Sequence, residues 1–308
     1  MLLLRTPLDL PAHARRVCLA IGTFDGVHLG HQQVIRQALM NARQHGAKAI
    51  VVTFDAHPAT IVAPDRVPPL ICSLPQKLRS IEALGVDATL LLHFDRALSE
   101  LPAADFIRRL VHDFGHIHSI CVGSHFTFGH RRSGNVELLR QLGAELHFAI
   151  HDLASVALDG QTVSSTRIRA SIRTGNLDAA SQMLGRAYAL AGTVVPGDQV
   201  GRRLGFPTAN LDTRGLALPP HGVYAVLARV NAHTHPAALN LGLRPTRSET
   251  APQLHAEVHL LDFAGDLYGT ELEVTFVAKL RDEMKFPNLE ALQQQIVRDL
   301  AQARAALA

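Results

Sequence analysis

Tryptophan is absent from this chain of 308 residues, and aromatic residues make up only 5% of it. The 30 lysines and arginines are scattered and nearly balanced by 27 acids. No basic stripe interleaved with aromatics is present, which argues against a nucleic-acid partner. Cysteine is equally scarce: Cys18, Cys72 and Cys121 are far apart, odd in number and form no Cys-x-x-Cys pair. Neither a zinc site nor a disulfide framework is indicated, and reduced thiols in a cytoplasmic protein are expected. No apolar run approaches membrane-spanning length, so no membrane partner is expected. The apolar start, residues 1–10, is broken by Arg5, Pro7 and Asp9 and is too short for a signal peptide. No long low-complexity segment suggests disorder.

What is present fits two globular domains. The length suffices for two cores, the apolar fraction of 47% is ordinary, and the net charge of +3 is small. The 18 histidines include His116-x-His118 and His233-x-His235. These pairs lack further ligands at metal spacing, so they read as solvated loop histidines.

The first half alternates strands and helices. Apolar runs predict strands at 17–21, 49–54, 88–94, 119–122 and 145–150. Amphipathic patterns predict helices at 32–44, 75–84, 103–114 and 135–142. This is the pattern of a parallel sheet covered on both faces, with its ligand at the carboxyl ends of the strands. Three motifs fall at such ends. Gly22-Thr23-Phe24-Asp25-Gly26-Val27-His28-Leu29-Gly30-His31 follows the first strand, Asp55-Ala56-His57-Pro58 the second, and residues 123–129 the fourth. The first motif is strand, tight turn and helix start, where unpaired N–H groups face anions. His28 and His31 are nearly one helical turn apart, so both imidazoles can face one phosphate.

Residues 163–169 bring Ser164, Ser165 and Thr166 together with Arg167 and Arg169, ahead of helices predicted at 168–174 and 177–184. Hydroxyls before a helix read as caps, but hydroxyl and guanidinium donors also suit phosphate oxygens. Beyond Arg186 short strands separated by turns replace helical periodicity: 189–195, 222–230, 237–241, 256–262 and 272–279. These predict an antiparallel sandwich or barrel, closed by a last helix at 289–306. Within it, Gly201-Arg202-Arg203-Leu204-Gly205-Phe206-Pro207-Thr208-Ala209-Asn210 offers close backbone approach and two hard oxygen ligands, enough for magnesium on a nucleotide. A rigid turn with Asn210 serving the backbone is the equally simple reading. Glu257, on an alternating strand, is a candidate general base or a solvated outward-facing acid. The charged segment 280–286, with Arg281 and Phe286, is expected to flap over a ligand.

From near its N-terminus to its end the chain resembles the prokaryotic bifunctional riboflavin kinase/FAD synthetases. The resemblance rests on residues 22–31, 53–58, 163–169, 205–210, 240–246 and 257–269, in family order. It implies a Rossmann-like α/β nucleotidyltransferase domain with a parallel sheet over 1–185. An antiparallel β-barrel kinase domain with a C-terminal helix follows over 186–308. The barrel would phosphorylate riboflavin with ATP to FMN, and the first domain would adenylylate FMN to FAD with release of pyrophosphate. Both would use Mg2+ with ATP, and FMN and FAD would be substrate and product rather than resident cofactors. The expected partners are these small molecules, the chain being a monomer or weak homo-oligomer.

By the same resemblance His28 and His31 stabilise the adenylyl transition state. Gly22, Phe24, Asp25 and Gly30 shape the ATP site, and Ser164, Ser165, Thr166 and Arg169 hold the pyrophosphate. His57, Pro58 and His125 line the flavin site, although the family usually has Asp or Asn where His125 stands. Gly201 and Arg202 serve the second ATP. Thr208 and Asn210 hold its magnesium, Glu257 is the base, and Arg281 and Phe286 close over the flavin ring. The remaining alternatives are another nucleotidyltransferase with the same histidine motif and a catalytically decayed flavin-binding regulator.

Overall fold

The computed structural model describes residues 1–11, 14, 16–231, 233–244 and 253–308. By packing, the chain divides into two units. One comprises Met1–Arg167 and Met183–Gly185, the other Ile168–Gln182 and Arg186–Ala308.

The first unit holds strands β1 (Leu2–Leu4), β2 (Arg16–Ile21), β3 (Lys48–Phe54), β4 (Ala88–Leu92), β5 (His116–Gly123) and β6 (Ala149–Leu153). They form one sheet in the order β1-β4-β3-β2-β5-β6, with every pair parallel. Between the strands lie α1 (Leu29–His45), the short α2 (Ala59–Val62), α3 (Leu74–Glu82), the short α4 (Arg96–Glu100), α5 (Ala103–Phe114) and α6 (Val136–Leu146). Alternate strand residues feed opposite faces. Val17, Leu19, Ile21, Ile50 and Val52 meet Ile107, Leu110, Leu139 and Leu142. Cys18, Ala20, Ala49, Val51 and Cys121 meet Val34, Ile35, Ala38 and Ile81. Each fully buried aliphatic side chain of this kind contributes about 1.5–3 kcal/mol. A two-stranded hairpin, β7 (Ala157–Leu158) with β8 (Gln161–Thr162), follows the sheet.

The strand order places the site. From β2 the chain steps to β3 and β4 on one side, then returns to β5 on the other. The reversal opens a crevice at the carboxyl ends of β2 and β5, the usual ligand position in such sheets. Gly22–His31 and Gly123–His125 are the segments that leave those two strands.

Helices α7 (Ser165–Arg173) and α8 (Leu177–Leu184) come next. The second unit then contains β9 (Ala189–Val195), the one-turn α9 (Val200–Arg203), β10 (Ala209–Leu211), β11 (Gly222–Val230), β12 (His233–Arg244), β13 (Gln253–Leu260), β14 (Glu271–Arg281) and α10 (Leu289–Leu307). The strands close an antiparallel barrel in the order β10-β13-β12-β11-β14-β9. Its lumen is filled by alternate residues such as Leu211, Tyr224, Val226, Leu239, Val258 and Val274. On the outer face Ala225 and Ala238 pack against Ala303 and Leu300 of α10.

The expected strand at 145–150 is shifted by the structure. Helix α6 runs on through Leu146, His147 terminates it in the left-handed conformation (φ 61°), and the strand starts at Ala149. Pro245 and Thr246 of the 240–246 motif lie outside the described residues.

Candidate functional site

The turn after β2 is tightly wound. Phe24 and Val27 have positive φ (49° and 41°) around Gly26 (82°). Three groups hold it. The buried Asp25 carboxylate accepts the Ile71 N–H at 3.0 and 3.2 Å. Buried Gln32 donates to the Val27 and Leu184 carbonyls at 3.0 and 2.8 Å, and the Thr53 hydroxyl donates to the Thr23 carbonyl at 3.1 Å. Phe24 is buried and meets His31 edge-on, at 5.3 Å between rings. Phe24 and Asp25 therefore shape the turn from beneath.

His28 is the N-cap of α1, an unusual residue there. Its Nδ1 accepts the His31 N–H at 3.4 Å, so the proton of the neutral ring sits on Nε2. The two imidazoles stack, with centroids 3.5 Å apart and planes 20° from parallel. Gly30 makes this possible, since a Cβ there would stand 3.2 Å from the His28 ring. The His31 Nδ1 is sealed from solvent and has no hydrogen-bond partner among the described residues. Burial, then His28 and Lys77, push the His31 pKa well below its usual value, so the ring is neutral at pH 7. The neutral His31 ring and the His28 ring stacked on it stand at a helix N-terminus, an arrangement suited to polyphosphate.

Lys77, on α3, escapes sequence reasoning because it sits on a polar-looking helix face. In the structure it is buried, and its Nζ donates to the Phe54 carbonyl at 2.7 Å. Thr53 Oγ1 and the Thr23 carbonyl both lie 3.4 Å away. It thus joins the turns after β2 and β3. Burial lowers its pKa, while Cys72, Asp25 and Asp55 oppose the shift.

Around this crevice, His57 Nδ1 accepts the Ala59 N–H at 3.1 Å, and Pro58 begins α2. Asp55 binds His93 Nδ1 at 2.7 Å and the Phe94 N–H at 3.1 Å. His125 is exposed, its Nδ1 2.9 Å from the Ser124 hydroxyl. Ser164 caps α7 by accepting the Arg167 N–H at 3.3 Å, so the capping reading holds. Ser165 Oγ donates to the Asp25 carbonyl at 3.1 Å, which ties this segment to the histidine turn. Thr166 follows in the first turn of α7, and Arg169 lies further along the helix, in the second unit.

In the second unit a cavity of about 320 Å³ lies on the outer face of the barrel beneath α10. Register places Asn210, Glu257 and Asn240 side by side on three neighbouring strands. Lumen-facing Ala256 and Val258 flank Glu257, so its side chain points outward, yet into the cavity wall rather than open solvent. Thr208 Oγ1 stands 3.4 Å from Glu257 Oε2. Gly201 packs on the Phe206 carbonyl, and Gly197 on the Asn210 amide, so closely that a Cβ would overlap either neighbour. Arg202 is exposed on α9.

Arg281 departs from the expected flap. It ends β14 and is clamped by buried Asp299 of α10, with Nε–Oδ1 at 2.9 Å and Nη2–Oδ2 at 2.7 Å. Its guanidinium lies 5.8 Å from the centre of the Phe286 ring, and both residues line the cavity. Among the described residues no group of three or more His, Cys, Asp or Glu side chains could cage a metal ion.

A family model for FAD synthetase matches residues 10–167, and one for riboflavin kinase matches residues 184–307. A bifunctional riboflavin kinase/FMN adenylyltransferase of Pseudomonas fluorescens is 38% identical over 296 residues, 96% of this chain and 94% of that protein. The chain belongs to this family. The enzyme of the same description from Escherichia coli K12 is 38% identical, covering 93% of this chain and 91% of its own length. That of Haemophilus influenzae is 36% identical, covering 93% of each. A Streptococcus pneumoniae crystal structure described as a macrolide-efflux protein superposes with a TM-score of 0.81, at 28% identity and 98% coverage of both chains. No helix among the described residues of this family member is long and apolar enough to cross a membrane. As a bifunctional riboflavin kinase/FMN adenylyltransferase the chain is a transferase with two activities. Another nucleotidyltransferase or a decayed flavin-binding regulator is not favoured.

Proposed function

We propose that the two reactions run on two separate sets of residues, adenylylation in 1–185 and riboflavin phosphorylation in 186–308. The stacked His28–His31 pair at the start of α1 carries the first assignment. Its ring N–H donors meet the ATP phosphates as negative charge builds during attack of the FMN phosphate on the α-phosphate. Gly22 and Gly30 give the turn close backbone approach, with Phe24 and Asp25 fixing it. Ser164, Ser165, Thr166 and Arg169 receive the departing pyrophosphate. His57, Pro58 and His125 line the flavin side. Adenylylation needs no covalent enzyme intermediate, so no activated serine or cysteine is required.

In the barrel Glu257 orients the terminal ribityl hydroxyl and takes its proton, with Thr208 3.4 Å away on the nucleotide side. Gly201 and Arg202 serve the ATP, while Arg281 and Phe286 bound the flavin ring. The oxygens of Thr208 and Asn210 fit a magnesium ion, which in nucleotide sites takes only one or two protein ligands. When bound, that ion neutralises phosphate charge. The three cysteines are buried and none is in a disulfide, which suits a reducing cytoplasm. A monomer or weak homo-oligomer without nucleic-acid or membrane partners completes the reading.

The test is incubation with riboflavin, ATP and magnesium, with products separated by chromatography. Both FMN and FAD are expected, and loss of both on chelation. Absence of both products from folded enzyme in the presence of magnesium would refute the reading, and formation of both under chelation would remove the metal from it.

A further inference from the structure

The kinase cavity contains a polar group that the assignments above leave unused. His255 lies on β13 two residues before Glu257, on the same outer face, and lines the same cavity. Its Nε2 is sealed from solvent and has no hydrogen-bond partner among the described residues. Buried ring nitrogens are rarely left unpaired, because the loss of water costs about 1–3 kcal/mol. Such an atom in the wall of a ligand cavity marks where the ligand supplies the partner.

The order of side chains along β13 indicates which part of the ligand this is. His259 contacts the Pro207 carbonyl through Nδ1 at 2.7 Å, and Glu257 stands beside Thr208, so that end of the strand faces the nucleotide loop. His255 lies the other way. Opposite it is Gly242, and a Cβ at Gly242 would stand 2.6 Å from the Glu283 carboxylate. The missing side chain therefore lets Glu283 lie against the strand beside His255, at the end of the cavity that Arg281 and Phe286 also line. Residues two apart on a strand are separated by about 7 Å. A ribityl chain with its terminal hydroxyl at Glu257 covers a comparable span, which brings its inner hydroxyls to His255.

We infer that His255 is a specificity-determining residue of the kinase site, its Nε2 forming a hydrogen bond with an inner ribityl hydroxyl of riboflavin. This rests on Glu257 being the base. A hydroxyl both donates and accepts, so either tautomer of the imidazole is served. The bond recognises the sugar-alcohol chain rather than the ring, and it selects against flavins with truncated or deoxygenated chains.

The experiment is a steady-state comparison of the full-length enzyme with His255→Ala and His255→Gln. Riboflavin and its 2′-, 3′- and 4′-deoxy analogues serve as substrates, and thermal unfolding checks each variant. His255→Ala is expected to raise the KM for riboflavin about tenfold and to leave the KM for ATP within twofold. It should also abolish discrimination against one inner deoxy analogue that the parent enzyme rejects. His255→Gln, which keeps a donor and an acceptor, recovers part of the affinity. An unchanged riboflavin KM in both variants, or full discrimination retained by the alanine variant, overturns the inference. Failure of the Glu257 assignment reads differently, as a normal kcat in Glu257→Gln.

Discussion

Replacing Asp299 by alanine removes the anchor of Arg281. The carboxylate is buried, with its side chain only 6% exposed, and accepts from Arg281 at 2.9, 3.1 and 2.7 Å and from Gln295 at 2.8 Å. Arg281 itself is 17% exposed, so its guanidinium would remain largely buried without a counter-charge. Breaking a buried pair from one side costs about 3–5 kcal/mol. The residual exposure of Arg281 and its bond to the Asp282 carbonyl at 2.8 Å favour the lower end, about 3 kcal/mol. For a unit of this size that lowers the unfolding midpoint by about 10 °C. The released guanidinium also leaves its place beside Phe286, so the KM for riboflavin should rise about tenfold. Differential scanning calorimetry and kinase kinetics on Asp299→Ala read both effects. Asp299→Asn, which keeps one acceptor, should lose about half as much stability. A midpoint within 2 °C of the parent (on the order of the melting precision), with an unchanged riboflavin KM, would refute the clamp.

Two further outcomes follow from the first unit. Gly30→Ala should slow FAD formation about tenfold while riboflavin phosphorylation continues, because the added Cβ presses on the His28 ring at 3.2 Å. Helix propensity alone favours alanine, so equal or faster FAD formation would show that the histidine stack is unimportant. Stability should fall as pH drops below about 6.5, the unfolded histidine value. His31 and His118 both have depressed folded pKa values, chiefly through burial. Their contribution is complete above the unfolded pKa and is lost as pH falls through the folded values. Exposed His93, raised by Asp55, acts in the opposite sense and fades as pH rises. Urea melts between pH 8 and 5 check the balance, and a rise in stability on acidification would contradict it.

Much of this was legible in the sequence because long periodic segments dominate. Helix 103–114 and strands 189–195 and 222–230 match the structure at both ends. Short elements were not legible: β1 and β10 have three residues each, too few to show a period. Helix α6 and the strand after it blurred because apolar residues continue across His147, whose left-handed backbone marks the break. Among the site residues, the histidine pair is visible as a motif, whereas its support is not. Lys77 and Asp299 are charged residues on helices, and only tertiary packing buries them. Glu257 carries the sharpest lesson. Strand alternation correctly turns it out of the barrel lumen, but no local pattern announces that α10 roofs a cavity over that face.

The central claim is that two separate residue sets run the two reactions, and a pair of substitutions tests it most directly. His31→Ala and Glu257→Ala are each incubated with riboflavin, and separately with FMN, in the presence of ATP and magnesium. His31→Ala should accumulate FMN and make no FAD. Glu257→Ala should make FAD from supplied FMN and nothing from riboflavin. Loss of both products from either variant, with its unfolding transition intact, would contradict the account.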